Sequence, residues 1–383
     1  MQAFTLRNLL FCPSNVLSAL TFAAMWLWVP AGEIRAAGKI RQENAAPKAA
    51  QFPELYRQWE ELRAHLRDLV YQSQRPVSAE EFARLGRLIA EAQETMKNRP
   101  RNVTEAAEAA WLENPIKDER AFHFLNSFAH VEYVRGRRRE AAEIADCLLK
   151  RSTDIPAAAK RDVLTIGSQT AFDMNSFDQA RRRLDGLKGI VVPFTVGMNT
   201  MSDRIDDYRR RWDGEQRIRA REVAANDLPR VKLVTTKGPI TVELFRNEAP
   251  VTTANFLRLV DEKFYDGRSI DFTNDSINRH LGFQVGANAT DVGQKDSSIV
   301  RERTSPNRRG QFRGSLCMLD SGERTSGTRF MIAFVPITDT EMRFTVFGRA
   351  IDGYEVLDRF DSDQANDKNK KPEQIEKATI VRR

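Results

Sequence analysis

The stretch Ser315–Gly348, SLCMLDSGERTSGTRFMIAFVPITDTEMRFTVFG, decides how the second half of this chain is read. Ser315 to Leu319 is an apolar run. Asp320 to Gly327 is dense in Asp, Ser, Thr and Gly, which make local turn hydrogen bonds or tolerate positive φ. Arg329 to Val335 is apolar again, Thr338 to Met342 is polar, and Phe344 to Gly348 is a closing apolar segment. The order is strand, turn-rich loop, strand, loop, strand, with the strands buried.

Working outward, Val231, Leu233 and Thr235 alternate before Lys237-Gly238-Pro239, and Ile240, Val242 and Leu244 alternate after it. That pattern predicts a hairpin. Pro250 is placed to open a helix as its first residue, and Ala254, Leu257 and Val260 give that helix one apolar face. Ala254-Asn255-Phe256, Phe264-Tyr265-Asp266-Gly267, Cys317-Met318-Leu319-Asp320, Gly327-Thr328-Arg329-Phe330-Met331-Ile332 and Val346-Phe347-Gly348 then follow. Residues 229–383 resemble the cyclophilin-type peptidyl-prolyl isomerases, which carry Ala-Asn-Phe, Ser-Met-Ala-Asn, Gly-Ser-Gln-Phe-Phe-Ile and Val-Phe-Gly in these places. The resemblance implies a closed eight-stranded antiparallel β-barrel capped by two helices, since closure removes the sheet edges.

It also implies a chemistry. A prolyl isomerase lowers a barrier of about 18–20 kcal/mol set by amide resonance. It holds the proline in an apolar pocket and places a cation or strong donor near the prolyl amide, so that the twisted transition state binds better than the ground state. No nucleophile, metal or cofactor is needed, and none is expected. The partners implied are polypeptide segments containing proline.

The family's site residues carry over position by position. Its Arg falls by count on Phe272 and its Gln on Val285, but the segment DFTNDSINRHLGFQV, residues 271–285, is too long for a gapless match. Arg279 lies inside that segment, and Arg329 stands at the place of the family's second Gln. These two are the candidate catalytic cations. Gln284 is one residue off, which on a strand points it to the opposite face from Val285. The groove positions become Phe283, Val285, Leu319, Asp320, Met331 (a pocket Phe), Asp339 and Thr340 (Trp-Leu), and Phe344 (a His). Three readings follow: an isomerase with a rearranged site, a catalytically silent barrel that binds polypeptide, or a scaffold whose helical part holds the partner.

Residues 51–228 read as an α-helical domain. Leu55, Trp59, Leu62, Leu66 and Leu69 recur at spacings of three and four. Ser78 with Glu81 marks a helix start, and Leu228-Pro229 marks the end of a long polar helix from Asn199. Two segments, Tyr133–Ala142 and Phe172–Arg181, each run from an aromatic residue through a short turn to the opening of a helix. They resemble tetratricopeptide hairpins, which suggests a short helical adaptor with its own protein partner. An ordinary helical bundle is the alternative.

Residues 1–31 carry Arg7, the short apolar core Val16–Val29 and small residues before position 32, the marks of a secretory signal cleaved after Ala31. The expected protein is exported, periplasmic or extracellular, and associates with a membrane only if the signal stays uncleaved. Residues 32–50 read as a flexible leader. The 383 residues carry a net charge of +7 at pH 7, 41% hydrophobic and 30% charged residues, a soluble, multi-domain composition of α plus β. Arg-rich runs at 135–139 and 209–211 fit solvated faces near their own acids better than a nucleic-acid site, which export also disfavours. Cys147 and Cys317 are expected as buried free thiols.

Overall fold

Strict alternation of apolar residues sends the chain after Leu228 into strands. The computed structural model describes residues 47–382 apart from 76, 99, 116–117, 189–195, 275–279, 287–297, 305–306, 322–323, 338–343 and 361–370. Eight strands follow: β1 (Arg230–Thr235), β2 (Gly238–Leu244), β3 (Ile270–Asn274), β4 (His280–Val285), β5 (Ser315–Ser321), β6 (Arg324–Ala333), β7 (Phe344–Asp352) and β8 (Ile375–Arg382). All neighbours are antiparallel, in the order β3-β4-β6-β5-β7-β2-β1-β8.

The expected closed barrel is not formed; the sheet is an open half-barrel. Its end strands β3 and β8 meet through the isolated bridge Ser269–Gln374 and three hydrogen bonds, such as Ile270 N to Glu373 O at 2.7 Å. Beyond that bridge the Asp266 carboxylate accepts the Ala378 N–H at 2.8 Å, taking the place of a strand partner. A side-chain cap of this kind is one way to protect a sheet edge.

The inner face is filled by Val231, Leu233, Ile240, Val242, Phe256, Phe283, Val285, Leu316, Met318, Phe330, Ile332 and Phe347. Twelve helical residues, Pro250–Asp261, and six more, Tyr354–Arg359, supply Phe256, Leu259, Val356 and Leu357 to this core.

The helices before the sheet are α1 (Lys48–Ser73), α2 (Ala79–Asn98), α3 (Pro100–Glu113), α4 (Glu119–Val134), α5 (Arg138–Leu149), α6 (Ala157–Asp173), α7 (Phe177–Asp185) and α8 (Val196–Ala225). Those within the sheet region are α9 (Pro250–Asp261) and α10 (Tyr354–Arg359). Lys48 already lies in a helix, inside the expected leader. Pro100 opens α3 instead of merely ending α2, because its missing N–H costs nothing in a first turn. Ser78 Oγ accepts the Glu81 N–H at 3.1 Å, the cap expected there.

Two compact units divide the described residues: those up to 127 with 150–155, and 128–149 with those from 156 onward. The boundary expected at 228 and 229 falls inside the second unit. In the first unit Phe124 packs against Phe52 and, edge-on, against Trp59 with centroids 6.0 Å apart. In the second unit both look-alike segments turn the same way. Gly136 has φ 80° and Asn175 has φ 61°. Arg137 N reaches Glu132 O at 2.9 Å and Ser176 N reaches Ala171 O at 2.8 Å, the six-to-one bond of a Schellman cap.

Within that unit α8 lies on the sheet domain. Met201, Ile205 and Tyr208 join Phe172, Phe177 and Phe312 in one buried cluster, with Trp212 and Phe312 rings 4.7 Å apart. Asn175 exchanges hydrogen bonds with both backbone groups of Arg313. The Arg-rich runs are paired inside the chain: Arg138 with Asp173, Arg209 with Asp178 and Arg211 with Asp207. No described helix is long and apolar enough to cross a membrane. The expected signal, residues 1–31, lies outside the described residues.

Candidate functional site

The strand register sorts the candidate residues by face. Asp271, Gln284, Met331, Cys317 and Val346 are successive partners across β3, β4, β6, β5 and β7. Antiparallel partners place their side chains on the same side of a sheet. The neighbouring rows, Phe283 with Ile332 and Leu316, and Val285 with Phe330 and Met318, point the other way into the core.

This register corrects two groove positions. Phe283 and Val285, expected in the groove, are interior residues. Gln284 instead stands on the face of Met331. Counting back from Gly286 put the amide position on Val285; the pleat puts an amide on the outer face one residue earlier.

Leu319, Met331 and Phe344 share the outer face with Leu228, Phe245, Cys317, Ala333, Ile337 and Val346. Leu319 pairs with Phe344 across β5 and β7. Met331 is fully buried, at 0% exposure, so the apolar position is roofed by its own chain. Phe344 and Gln284 are half-buried.

Arg329 closes a bulge. Pairing between β5 and β6 jumps from Met318–Phe330 to Asp320–Thr325, so Ser326–Arg329 lie opposite the single residue Leu319. Ser326 Oγ accepts the N–H groups of Thr328 and Arg329 at 3.3 and 3.0 Å, and Tyr265 Oη donates to Thr328 O at 3.0 Å. The bulge is therefore fixed from both sides. Phe330 points inward, so the preceding Arg329 points outward. Its stem lies against Gly286, where an added Cβ would sit 2.6 Å from Arg329 Cγ. Arg329 is half-buried and forms no ion pair among the described residues.

Asp320 is held by Arg303 at 3.0 Å and Arg301 at 3.7 Å, and accepts a hydrogen bond from Thr325 Oγ1. Neither arginine carried a signal in the linear sequence that tied it to Asp320. Arg279, Asp339 and Thr340 lie outside the described residues.

Cys317 cannot serve as a nucleophile here. Burial pushes its thiol up to about 12, and the one contact that opposes this is the Gln311 amide donating to Sγ at 3.8 Å. No group of three or more metal-ligating side chains occurs among the described residues. Among the described residues the outer face thus offers an apolar lining with the Gln284 amide and the Arg329 cation, which suits binding and polarising an amide rather than covalent chemistry.

Residues 230–380 match the family described as cyclophilin type peptidyl-prolyl cis-trans isomerase/CLD. The rat protein named peptidyl-prolyl cis-trans isomerase-like 3 is 32% identical over 148 residues, covering 37% of this chain and 88% of the rat protein. Its human counterpart is 31% identical over the same length, with the same two coverages. Among solved structures, a cyclophilin type isomerase of Cryptosporidium parvum is 24% identical, with a TM-score of 0.34, and covers 41% of this chain and 99% of that one.

Proposed function

Because the chain belongs to the cyclophilin-type peptidyl-prolyl cis-trans isomerase family, we propose that its sheet domain binds proline-containing polypeptides on the face of Gln284, Arg329 and Phe344 and isomerises the X-Pro bond there. The observation that carries this reading is the register of β4 and β6, which sets an amide beside Met331 and a cation two residues before it on the same strand. Arg329 donates to the prolyl amide or the carbonyl before it, favouring the twisted amide. Gln284 orients the adjoining peptide group. Arg279 is the second candidate cation.

The test is a protease-coupled assay on an Ala-Pro peptide with the full chain. Isomerisation faster than in buffer is expected. Arg329→Ala should lower kcat/KM by about a hundredfold, the scale of one lost preorganised donor. Wild-type protein no faster than buffer contradicts the proposal.

The complete burial of Met331 favours a second reading, in which the same face holds polypeptide without turnover, as a non-catalytic adaptor. Saturable peptide binding with no acceleration selects it. We also propose export directed by residues 1–31, with mature protein beginning at Gly32; an intact-mass measurement on protein expressed with the full leader checks the cleavage. A protein partner on the helical domain is part of the same proposal, resting on the two matching turns at Gly136 and Asn175.

A further inference from the structure

One stripe of α8 faces the sheet. Met201, Ile205, Tyr208, Trp212, Glu215 and Glu222 recur at helical spacing, which sets them on one side of the helix. Along the chain the stripe passes from apolar to acidic residues. Its apolar part closes on Phe312, whose ring lies 4.7 Å from that of Trp212 and 6.4 Å, edge-on, from that of Tyr208. Its acidic part closes on Arg309, bound by Glu215 and Glu222. Asn175, in the turn before α7, holds both backbone groups of Arg313. Helices therefore clamp residues 309–313 before the chain enters β5.

The clamp reaches the outer face of the sheet. Gln311 donates to Cys317 Sγ at 3.8 Å, and the Tyr208 hydroxyl donates to the Ile337 carbonyl. Ile337 is buried in the outer-face cluster with Cys317, Leu319, Met331, Ala333 and Val346, against which Phe344 packs. Ala333 and Phe334 are still fixed by the sheet, through Gly314 N to Ala333 O at 2.8 Å and Phe334 N to Leu281 O at 2.7 Å. Pro336 then brings no N–H, and past the end of β6 the Ile337 carbonyl is held by Tyr208. The Tyr208 ring is itself buried, 5.2 Å from Phe172 and 5.6 Å from Phe177 between centroids. A close-packed ring of this kind fixes where its hydroxyl sits.

We propose that Tyr208 is a positioning residue of the proline site: from the helical part of the chain it fixes Ile337 and, through it, the apolar lining beside Met331 that receives the proline ring. The inference rests on the reading of the Gln284–Arg329 face as the proline site. An apolar lining grips the ring alike in the planar and the twisted amide, so a displaced lining weakens ground state and transition state together. Arg329 acts on the twisted amide alone. The two residues therefore act on different constants, Tyr208 on KM and Arg329 on kcat.

The experiment is the protease-coupled Ala-Pro assay on the full chain over a range of peptide concentrations, with a urea unfolding curve for each protein. Tyr208→Phe keeps the ring and removes the donor. Its KM should rise about fivefold, the scale of one hydrogen bond, with kcat within about twofold of wild type. Trp212→Phe trims the same stripe and the same Phe312 contact but leaves the Tyr208 hydroxyl in place; it should lower the urea midpoint and leave KM unchanged. Ile337→Val, made from the site side, should also raise KM, and the double variant with Tyr208→Phe should raise it by less than the product of the two. A purely structural Tyr208 would behave as Trp212 does, because a smaller folded fraction lowers the apparent kcat and does not move KM. Tyr208→Phe with a wild-type KM, a KM rise equalled by Trp212→Phe, or a full product in the double variant overturns the inference and leaves the proline site standing. Wild-type protein with no turnover overturns both.

Discussion

Gly286 tests the placement of Arg329. Its φ of 152° lies where L side chains are rarely found, and a Cβ there would press on the Arg329 stem at 2.6 Å and Cα at 2.7 Å. Gly286→Ala should therefore cost about 1–3 kcal/mol in urea unfolding and displace the cation, lowering activity beyond the loss of fold. Cys317 and Cys147 are both buried free thiols, as the sequence suggested. With the Cys317 thiol raised by burial to about 12, almost no thiolate exists at its sulfur at pH 8, so in protein beginning at Gly32, which lacks Cys12, neither buried cysteine should react with Ellman's reagent until urea opens the protein. Rapid reaction in native buffer would contradict the burial. At this scale the sequence was legible where chemistry follows from alternation, and Gln284 shows the limit. The apolar residues Phe283 and Val285 flank it in a strict inward pattern, yet a count along the family motif passed over it. The ion pairs of Arg301 and Arg303 join residues nearly twenty positions away, which no local pattern reports.

At the scale of elements, the contact between α8 and the sheet is the least foreseen feature. Arg309 is buried and bound by Glu215 at 2.8 Å and Glu222 at 2.5 Å, with its guanidinium 4.0 Å over the Phe245 ring. Burial alone would raise the Glu215 carboxyl, but the hydrogen bonds and charge of Arg309 and Arg219 outweigh it and hold it below the ordinary 4.5. A depressed folded value means stability that is present above 4.5 and lost as pH falls toward the lowered value. Glu215→Gln should thus weaken the protein at pH 7 by about 3–5 kcal/mol, since Arg309 loses part of its buried partner, and should flatten the fall in stability on acidification. Chemical unfolding across a pH series measures both. The hairpin β1–β2, the helix opened by Pro250 and the strands β5 to β7 were legible because each is a local pattern. The buried ionic cluster was not, because a charged residue in sequence reads as surface until its partner is known.

At the scale of the whole molecule, the second compact unit includes helices as well as the sheet. A fragment of residues 229–383 would leave Phe312 without Phe177, Tyr208 and Trp212, and Arg309 without Glu215 and Glu222. Each loss is on the order of 3–5 kcal/mol, so the fragment should unfold at markedly lower urea than the full chain. An equal midpoint would show that the helices lend the sheet nothing. The family pattern made the eight strands legible and overstated their closure, because the Asp266 cap on β8 depends on which groups meet in space. The central claim is isomerisation at the Arg329 face. Its most direct measurement is NMR exchange spectroscopy of an Ala-Pro peptide with catalytic amounts of the full chain. Cis–trans exchange cross-peaks with wild-type protein, much reduced with Arg329→Ala, are the predicted result; no exchange above buffer with wild-type protein would contradict it.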